Sequence, residues 1–183
     1  LTTWATFAAV IDDIRQQHSD FDLLVISGDI AQDEALPTYV ALREALGDWL
    51  ARCHLIPGNH DNRTHLRTVF PERFQHREET LNFAVSVGGW SVFGLDSQVS
   101  GEVFGRIDDD QLEWLEAKVE NANGPAVVFV HHHPQPIDVA WIDKIGIRDA
   151  ESLTALLGRS TKIRAVCAGH VHQEANGSIG NAE

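Results

Sequence analysis

Four short apolar runs, at residues 23–27, 53–56, 126–130 and 163–167, each stop on chemically versatile residues: Gly28-Asp29, Gly58-Asn59-His60-Asp61, His131-His132-His133-Pro134 and Gly169-His170-Val171-His172. Apolar runs of this length, bounded by turn residues, read as buried strands. Segments with helical spacing lie between them. Phe7, Val10, Ile11 and Ile14 define an amphipathic helix over residues 6–17, and a second helix starts near Leu36 with Pro37 in its first turn and Leu42, Leu46 and Trp49 turned inward. Asp108, Asp109 and Asp110 precede Leu112, Leu115 and Val119, and acids there favour a helix start through capping and the macrodipole. Residues 151–157 form another helix, and the runs 81–87 and 90–95 around Gly88-Gly89 read as a β-hairpin with a tight turn. Strands alternating with helices imply an α/β fold with covered sheets. One domain is expected over residues 1–183, with no repeat or linker, and Trp4, Trp49, Trp90 and Trp114 are expected in its core.

In open α/β folds, functional groups gather beyond the carboxyl ends of the strands, so the four polar loops should converge. Each alone is weak. Gly-Asp is more often a turn or a cap than a ligand, Gly58-Asn59 can be a turn and nothing more, and strand alternation lets only some of His131, His132 and His133 face one side. Gly169-His170-Val171-His172 is stronger, because alternate positions put both imidazoles on the same side. Together and in this order, the four loops point to metal binding. Carboxylate, amide and imidazole donors without a thiolate pair suit Mn, Fe, Zn or Ni rather than a structural zinc or iron–sulfur site. A carboxylate can bridge two divalent ions about 3.5–4 Å apart, and water held between them becomes a hydroxide nucleophile near neutral pH. The chemistry implied is metal-assisted hydrolysis.

Fourteen Lys and Arg face 27 Asp and Glu, for a net charge of −13. That sign opposes a nucleic-acid or anionic-membrane partner, since such binding depends on a basic surface. No apolar run is long enough to span a bilayer and the N-terminus lacks a secretory pattern, so a cytoplasmic location is expected. Cys53 and Cys167 both fall in strand-like runs and read as buried small hydrophobes. Methionine is absent. The chain is read as a segment cut at both ends.

The longer blocks Ser27-Gly28-Asp29-Ile30-Ala31-Gln32-Asp33, Leu95-Asp96-Ser97-Gln98-Val99, Asp110-Gln111-Leu112-Glu113-Trp114-Leu115-Glu116, and His131-His132-His133-Pro134 followed by Trp141-Ile142-Asp143 carry a family likeness. With them the sequence resembles the calcineurin-like metallophosphoesterases, and among these the bacterial 3′,5′-cyclic-AMP phosphodiesterases, the class III cyclic-nucleotide phosphodiesterases. The resemblance implies a four-layer α/β/β/α sandwich of two mixed sheets with a dinuclear centre of two divalent transition-metal ions, Fe, Mn or Zn. It makes Asp29 the bridging carboxylate, assigns Asn59, His132 and His170 to one ion, and gives His172 to the other. His132 is chosen because it stands two residues before Pro134. The family's Asp-x-His pair, which supplies further ligands to the second ion in relatives, has no counterpart here and is expected on a strand upstream of residue 1.

The activity implied is hydrolysis of 3′,5′-cyclic AMP to 5′-AMP by a metal-bound hydroxide. His60 would protonate the leaving oxygen or stabilise the phosphoryl charge, and Asp61 would orient His60 and raise its basicity. Asn59, His60 and His172 would contact the substrate, and Trp141 would stack on the base. The alternative for Asp61 is a helix cap near Thr64. The expected partner is a small nucleotide, with no nucleic acid and no membrane, and a homodimer stays open. Two other functions compete: a dimetal phosphoesterase acting on a 2′,3′-cyclic nucleotide, a glycerophosphodiester or a phosphomonoester, and a non-catalytic binding protein that has lost one metal.

Overall fold

The computed structural model describes residues 3–74 and 80–182. Its strands are β1 (Leu24–Ile26), β2 (Cys53–Leu55), β3 (Phe83–Val87), β4 (Trp90–Leu95), β5 (Ala126–Val130) and β6 (Ile163–Ala168). Its helices are α1 (Thr3–Gln17), α2 (Leu36–Leu46), α3 (Arg63–Val69), α4 (Asp109–Glu120) and α5 (Glu151–Arg159). β1 and β2 form a parallel pair, while β3-β4-β5-β6 form a mixed sheet whose β3–β4 pair is antiparallel and whose other pairs are parallel.

The two-residue alternation of each strand builds the layers. On β5, Ala126, Val128 and Val130 face a core shared with Leu115 and Val119 of α4 and Leu153, Leu156 and Leu157 of α5. The intervening Val127 and Phe129 face the other way, toward Ile56, Phe83, Val92 and Val25. On β1, Leu24 and Ile26 pack with Tyr39, Leu42 and Leu46 of α2 and Leu66 and Val69 of α3. Helices, sheet, sheet and helices therefore stack in the expected α/β/β/α order around three apolar interfaces.

Local chemistry accounts for the element ends. Gly88 and Gly89 take φ of 58° and 81°, the left-handed pair that a two-residue hairpin turn needs, and Val87 pairs with Trp90 across it. Asp108 caps α4 by accepting from Gln111 N at 2.9 Å. The helix after the Gly58-Asn59-His60-Asp61 segment is capped by Asn62, which accepts from His65 N at 3.1 Å, and not by Asp61.

Several expectations need correction. α1 starts at Thr3 rather than at residue 6, and Val10 is exposed while Ile11 is buried. α2 ends at Leu46, where Gly47 opens a 3₁₀ helix over Gly47–Arg52 that carries Trp49. Trp4 and Trp90 are exposed rather than core, whereas Trp49 and Trp114 pack against the apolar clusters. Cys53 is buried, which pushes its thiol up to about 12, but Cys167 is exposed on β6, an edge strand among the described residues. No helix among the described residues is long and apolar enough to cross a membrane.

Candidate metal centre

Strand register sets the site. β5 and β6 pair Val130 with Ala168, so the residues one step beyond, His131 and Gly169, adjoin, and Gly169 N donates to His131 O at 3.0 Å. β1 and β2 pair Ile26 with Leu55, which brings the Gly28-Asp29 and Gly58-Asn59 turns side by side. The two sheets then meet at their carboxyl ends: His131 Nδ1 donates to Ser27 O at 2.7 Å. A carbonyl can only accept, so Nδ1 carries a ring proton and Nε2 is the nitrogen left to face the site.

That nitrogen points at two oxygens. His131 Nε2 lies 3.3 Å from Asn59 Oδ1 and 3.3 Å from Asp29 Oδ2. His170 and His132 complete the group, with ring centroids 5.1 Å and 4.8 Å from His131 and 4.6 Å from each other. Potential ligand atoms of these three histidines all lie within 4.8 Å of one another. Nε2 of His132 and Nε2 of His170 are buried without a hydrogen-bond partner. Orphaned imidazole nitrogens are costly in a buried site, and a divalent cation among them would satisfy them, so these residues fit a metal.

The electrostatics agree. Burial pushes the Asp29 carboxyl up, but the neighbouring His131 and the His60 N–H, which donates to Oδ1 at 3.1 Å, hold it down at about 2. Burial, reinforced by His131 and His170, drives His132 down to about 3. Burial and His131 drive His170 down to about 4. The site thus keeps the Asp29 carboxylate and the unprotonated imidazoles of His132 and His170 together at neutral pH, the protonation states a cation requires.

The backbone is specialised at the same places. Asp29, His170 and His172 adopt φ of 54°, 67° and 52°, a conformation uncommon for residues other than glycine and concentrated at functional sites. A Cβ at Gly28 would come within 2.7 Å of His131 Nδ1, and one at Gly58 would collide with the Asp29 carboxylate. Only glycine permits this approach.

Asp29 and Asn59 lie beside the cluster of His131, His132 and His170, and the leading imidazole differs from the one expected. His131, not His132, faces Asp29 and Asn59; His132 turns Nδ1 to Ser97 Oγ at 2.8 Å. The spacing to Pro134 does not select the leading imidazole because the three histidines, all buried, lie past the end of β5, where the chain no longer follows the strand. One signal for His131 was present in the sequence: it follows its strand immediately, as Ser27 and Gly169 follow theirs. His172 is exposed and lies outside the three-imidazole cluster.

The expected His60–Asp61 pair is also corrected. His60 Nδ1 meets Gln32 Nε2 at 2.9 Å. Asp61 turns inward instead, accepting from Ile30 N at 3.0 Å, Ala31 N at 3.2 Å, Gly58 N at 2.9 Å and Tyr39 Oη at 3.1 Å. Its carboxyl is pushed up by burial, which outweighs those four donors. Trp141 is 67% exposed on a turn whose inward residue is Ile142, and it lines neither cavity flanking the histidines.

A buried polar network backs the site. Asp96 holds Arg63 through two bonds, at 2.6 and 2.8 Å, and accepts from Leu81 N and Gln98 N. Arg63 also donates to Gln98 O, and Gln98 Nε2 donates to Gly58 O at 2.8 Å. Nothing in sequence spacing pairs Arg63 with Asp96, 33 residues apart.

A family model described as calcineurin-like phosphoesterase matches residues 2–174. The chain is 34% identical over 176 residues to the 3′,5′-cyclic adenosine monophosphate phosphodiesterase CpdA of Escherichia coli K12, covering 95% of this chain and 62% of the relative. It is 31% identical over 175 residues to the Vibrio vulnificus protein of the same name, covering 95% and 63%. With the Pseudomonas aeruginosa one it shares 34% over 166 residues, covering 90% and 59%. The chain thus spans about three fifths of the length of these relatives. Among solved structures, a purple acid phosphatase from yellow lupin seeds superposes with a TM-score of 0.62 at 14% identity, covering 90% of this chain and 33% of that one, a likeness of fold.

Proposed function

The chain belongs to the calcineurin-like phosphoesterase family, and from that premise we propose that it carries the metal-binding domain of a phosphodiesterase converting 3′,5′-cyclic AMP to 5′-AMP at a centre of two divalent transition-metal ions. The observation that carries the metal half of this reading is the aim of His131 Nε2 at Asp29 Oδ2 and Asn59 Oδ1, beside the orphaned Nε2 of His170. The names of the relatives above support the substrate half.

Asp29, Asn59, His131 and His170 would hold one ion, with Asp29 shared and His172 assigned to the second. Bound divalent ions supply positive charge to a phosphoryl group and acidify a water. The protein's own groups do the remainder. Asn59 and His60 bind phosphate oxygens. With the Gln32 amide donating to Nδ1, His60 keeps its ring proton on Nε2, from which it hydrogen-bonds the departing 3′-oxygen and stabilises the charge that develops there. Asp61 acts on neither substrate nor His60; it fastens the Asp29 and Asn59 turns together.

The net charge of −13 does not oppose an anionic substrate. A unit-charge pair about 4 Å apart at an effective dielectric near 20 is worth about 4 kcal/mol, whereas surface charges beyond about 8 Å are screened at physiological salt.

A panel assay with added Mn²⁺ tests the proposal. Cyclic AMP should turn over faster than 2′,3′-cyclic AMP, a glycerophosphodiester or a phosphomonoester, and Asp29→Asn should lower the rate by about 100-fold or more. Rapid turnover of another ester with cyclic AMP inert would overturn the substrate half. Retained activity in Asp29→Asn would overturn the metal half.

A further inference from the structure

Beside the imidazole cluster lies a cavity of 390 Å³ whose wall includes Asn59 and His60 of the candidate centre. It extends from them between the first turn of α3, at Asn62, and the loop carrying Gln98, Glu102 and Val103. That volume is within the range of small-molecule sites. Val103 is 53% exposed and supplies the apolar part of an otherwise polar wall. An apolar face beside amide and carboxylate acceptors suits a flat heterocycle joined to a hydroxylated sugar, not a plain alkyl or aryl ester.

The charges narrow the ligand further. Among the described residues Arg63 is the cation in this wall, and its guanidinium is already bound by Asp96 and by Gln98 O. Glu34 and Glu102 line the same space, and both are exposed. A phosphate placed there would meet two exposed carboxylates and, among the described residues, no available cation. Ribose hydroxyls and an exocyclic amino group would instead find acceptors.

We infer that this cavity is the nucleoside subsite: with the phosphoester at the histidine cluster, ribose and base lie between Asn62 and Val103, and Glu34 and Glu102 restrict the site to mononucleotides by turning away a second phosphate. The assignment rests on the phosphodiesterase reading above and adds to it where the base sits and which nucleotides are refused.

Amide NMR of the metal-free 183-residue chain tests it with adenosine and adenosine 5′-diphosphate as probes. Adenosine should shift the amides of Asn62, Thr64, Glu102 and Val103, and should bind more tightly than the diphosphate. Glu102→Lys, an exposed position, should move the diphosphate-to-adenosine affinity ratio toward the diphosphate by roughly three- to tenfold, and Glu102→Gln by less. Adenosine shifts confined to the other cavity, lined by His133, Gly146 and Thr154, would overturn the inference, as would no binding at all or a ratio unmoved by Glu102→Lys. A Mn²⁺ titration of the same sample keeps the two readings apart. Failure of Mn²⁺ to broaden Asn59 and His170 counts against the metal centre alone, while the nucleoside result stands or falls on the adenosine shifts.

Discussion

Asp61 accepts three backbone N–H groups from two different turns, those of Ile30 and Ala31 after β1 and that of Gly58 after β2, and a fourth donor from Tyr39 on α2. Its neighbours in sequence, Asn59 and His60, face the cavity and the metal cluster, while Asp61 faces the interior. The residue therefore sets the distance between Asp29 and Asn59 without touching anything bound. Asp61→Asn keeps the shape but sets an NH₂ group against a buried donor such as Gly58 N–H, a loss of about 2 kcal/mol. We expect urea denaturation to show that loss, and a Mn²⁺ titration to show about tenfold weaker binding because the two turns separate. Tyr39→Phe, which removes the hydroxyl that also accepts from Asn62 N, should cost about 1–2 kcal/mol. Should Asp61→Asn leave both stability and Mn²⁺ affinity unchanged while altering turnover, Asp61 would belong with the catalytic groups after all.

At the level of elements, strands and helices were readable because each has one apolar period and a distinct stop: Gly88-Gly89 at the hairpin, Asp108 at α4, Gly28-Asp29 after β1. The four ligand loops were readable for the same reason, since sheets direct strand ends to one edge. What sequence could not supply was register and side-chain partnership across 30 to 100 residues. His131 rather than His132 leads the cluster because Val130 pairs with Ala168 and because the Ser27 carbonyl of the other sheet captures Nδ1. Gln111 is a second case. It lies on α4 among exposed acids, yet its side chain exchanges two hydrogen bonds with the backbone of Asp96, from N at 3.2 Å and to O at 3.0 Å. That exchange joins α4 to the end of β4 and, through Asp96, to Arg63 at the start of α3. Gln111→Leu, close in volume, should cost about 2 kcal/mol by leaving the buried Asp96 carbonyl without its donor, whereas Asp109→Ala at the exposed start of α4 should cost less than about 0.5 kcal/mol. Equal urea midpoints for the two variants would show that the exchange does not connect these elements.

For the whole molecule, acid sensitivity follows from histidines kept neutral. His54 on β2 is driven down to about 4, first by burial and then by the charge of Arg73, with its ring 4.7 Å from that of Phe83. His132 and His170 are lowered as well, to about 3 and about 4. A histidine depressed in the folded chain stays unprotonated where the unfolded chain, titrating near 6.5, has already gained its proton. Its contribution to stability is therefore complete above about pH 6.5 and is lost as pH falls toward 4, with a slope of at most about 1.4 kcal/mol per pH unit for each group. Asp29, lowered to about 2, adds a further loss in more acid solution, below about pH 4. The negative surface works in the opposite direction, since protonating its carboxylates relieves self-repulsion, but that gain begins only near the carboxylate range. Between pH 7 and 5 the histidines should dominate. The urea midpoint should fall over this interval, and His54→Asn should flatten the fall by at most about 1.4 kcal/mol per pH unit. Mn²⁺ should raise the midpoint by nearly the same amount at pH 7 and at pH 5, because His132 and His170 stay unprotonated in the folded site across that interval. A midpoint that rises from pH 7 to 5 would mean that relief of surface repulsion outweighs the buried histidines.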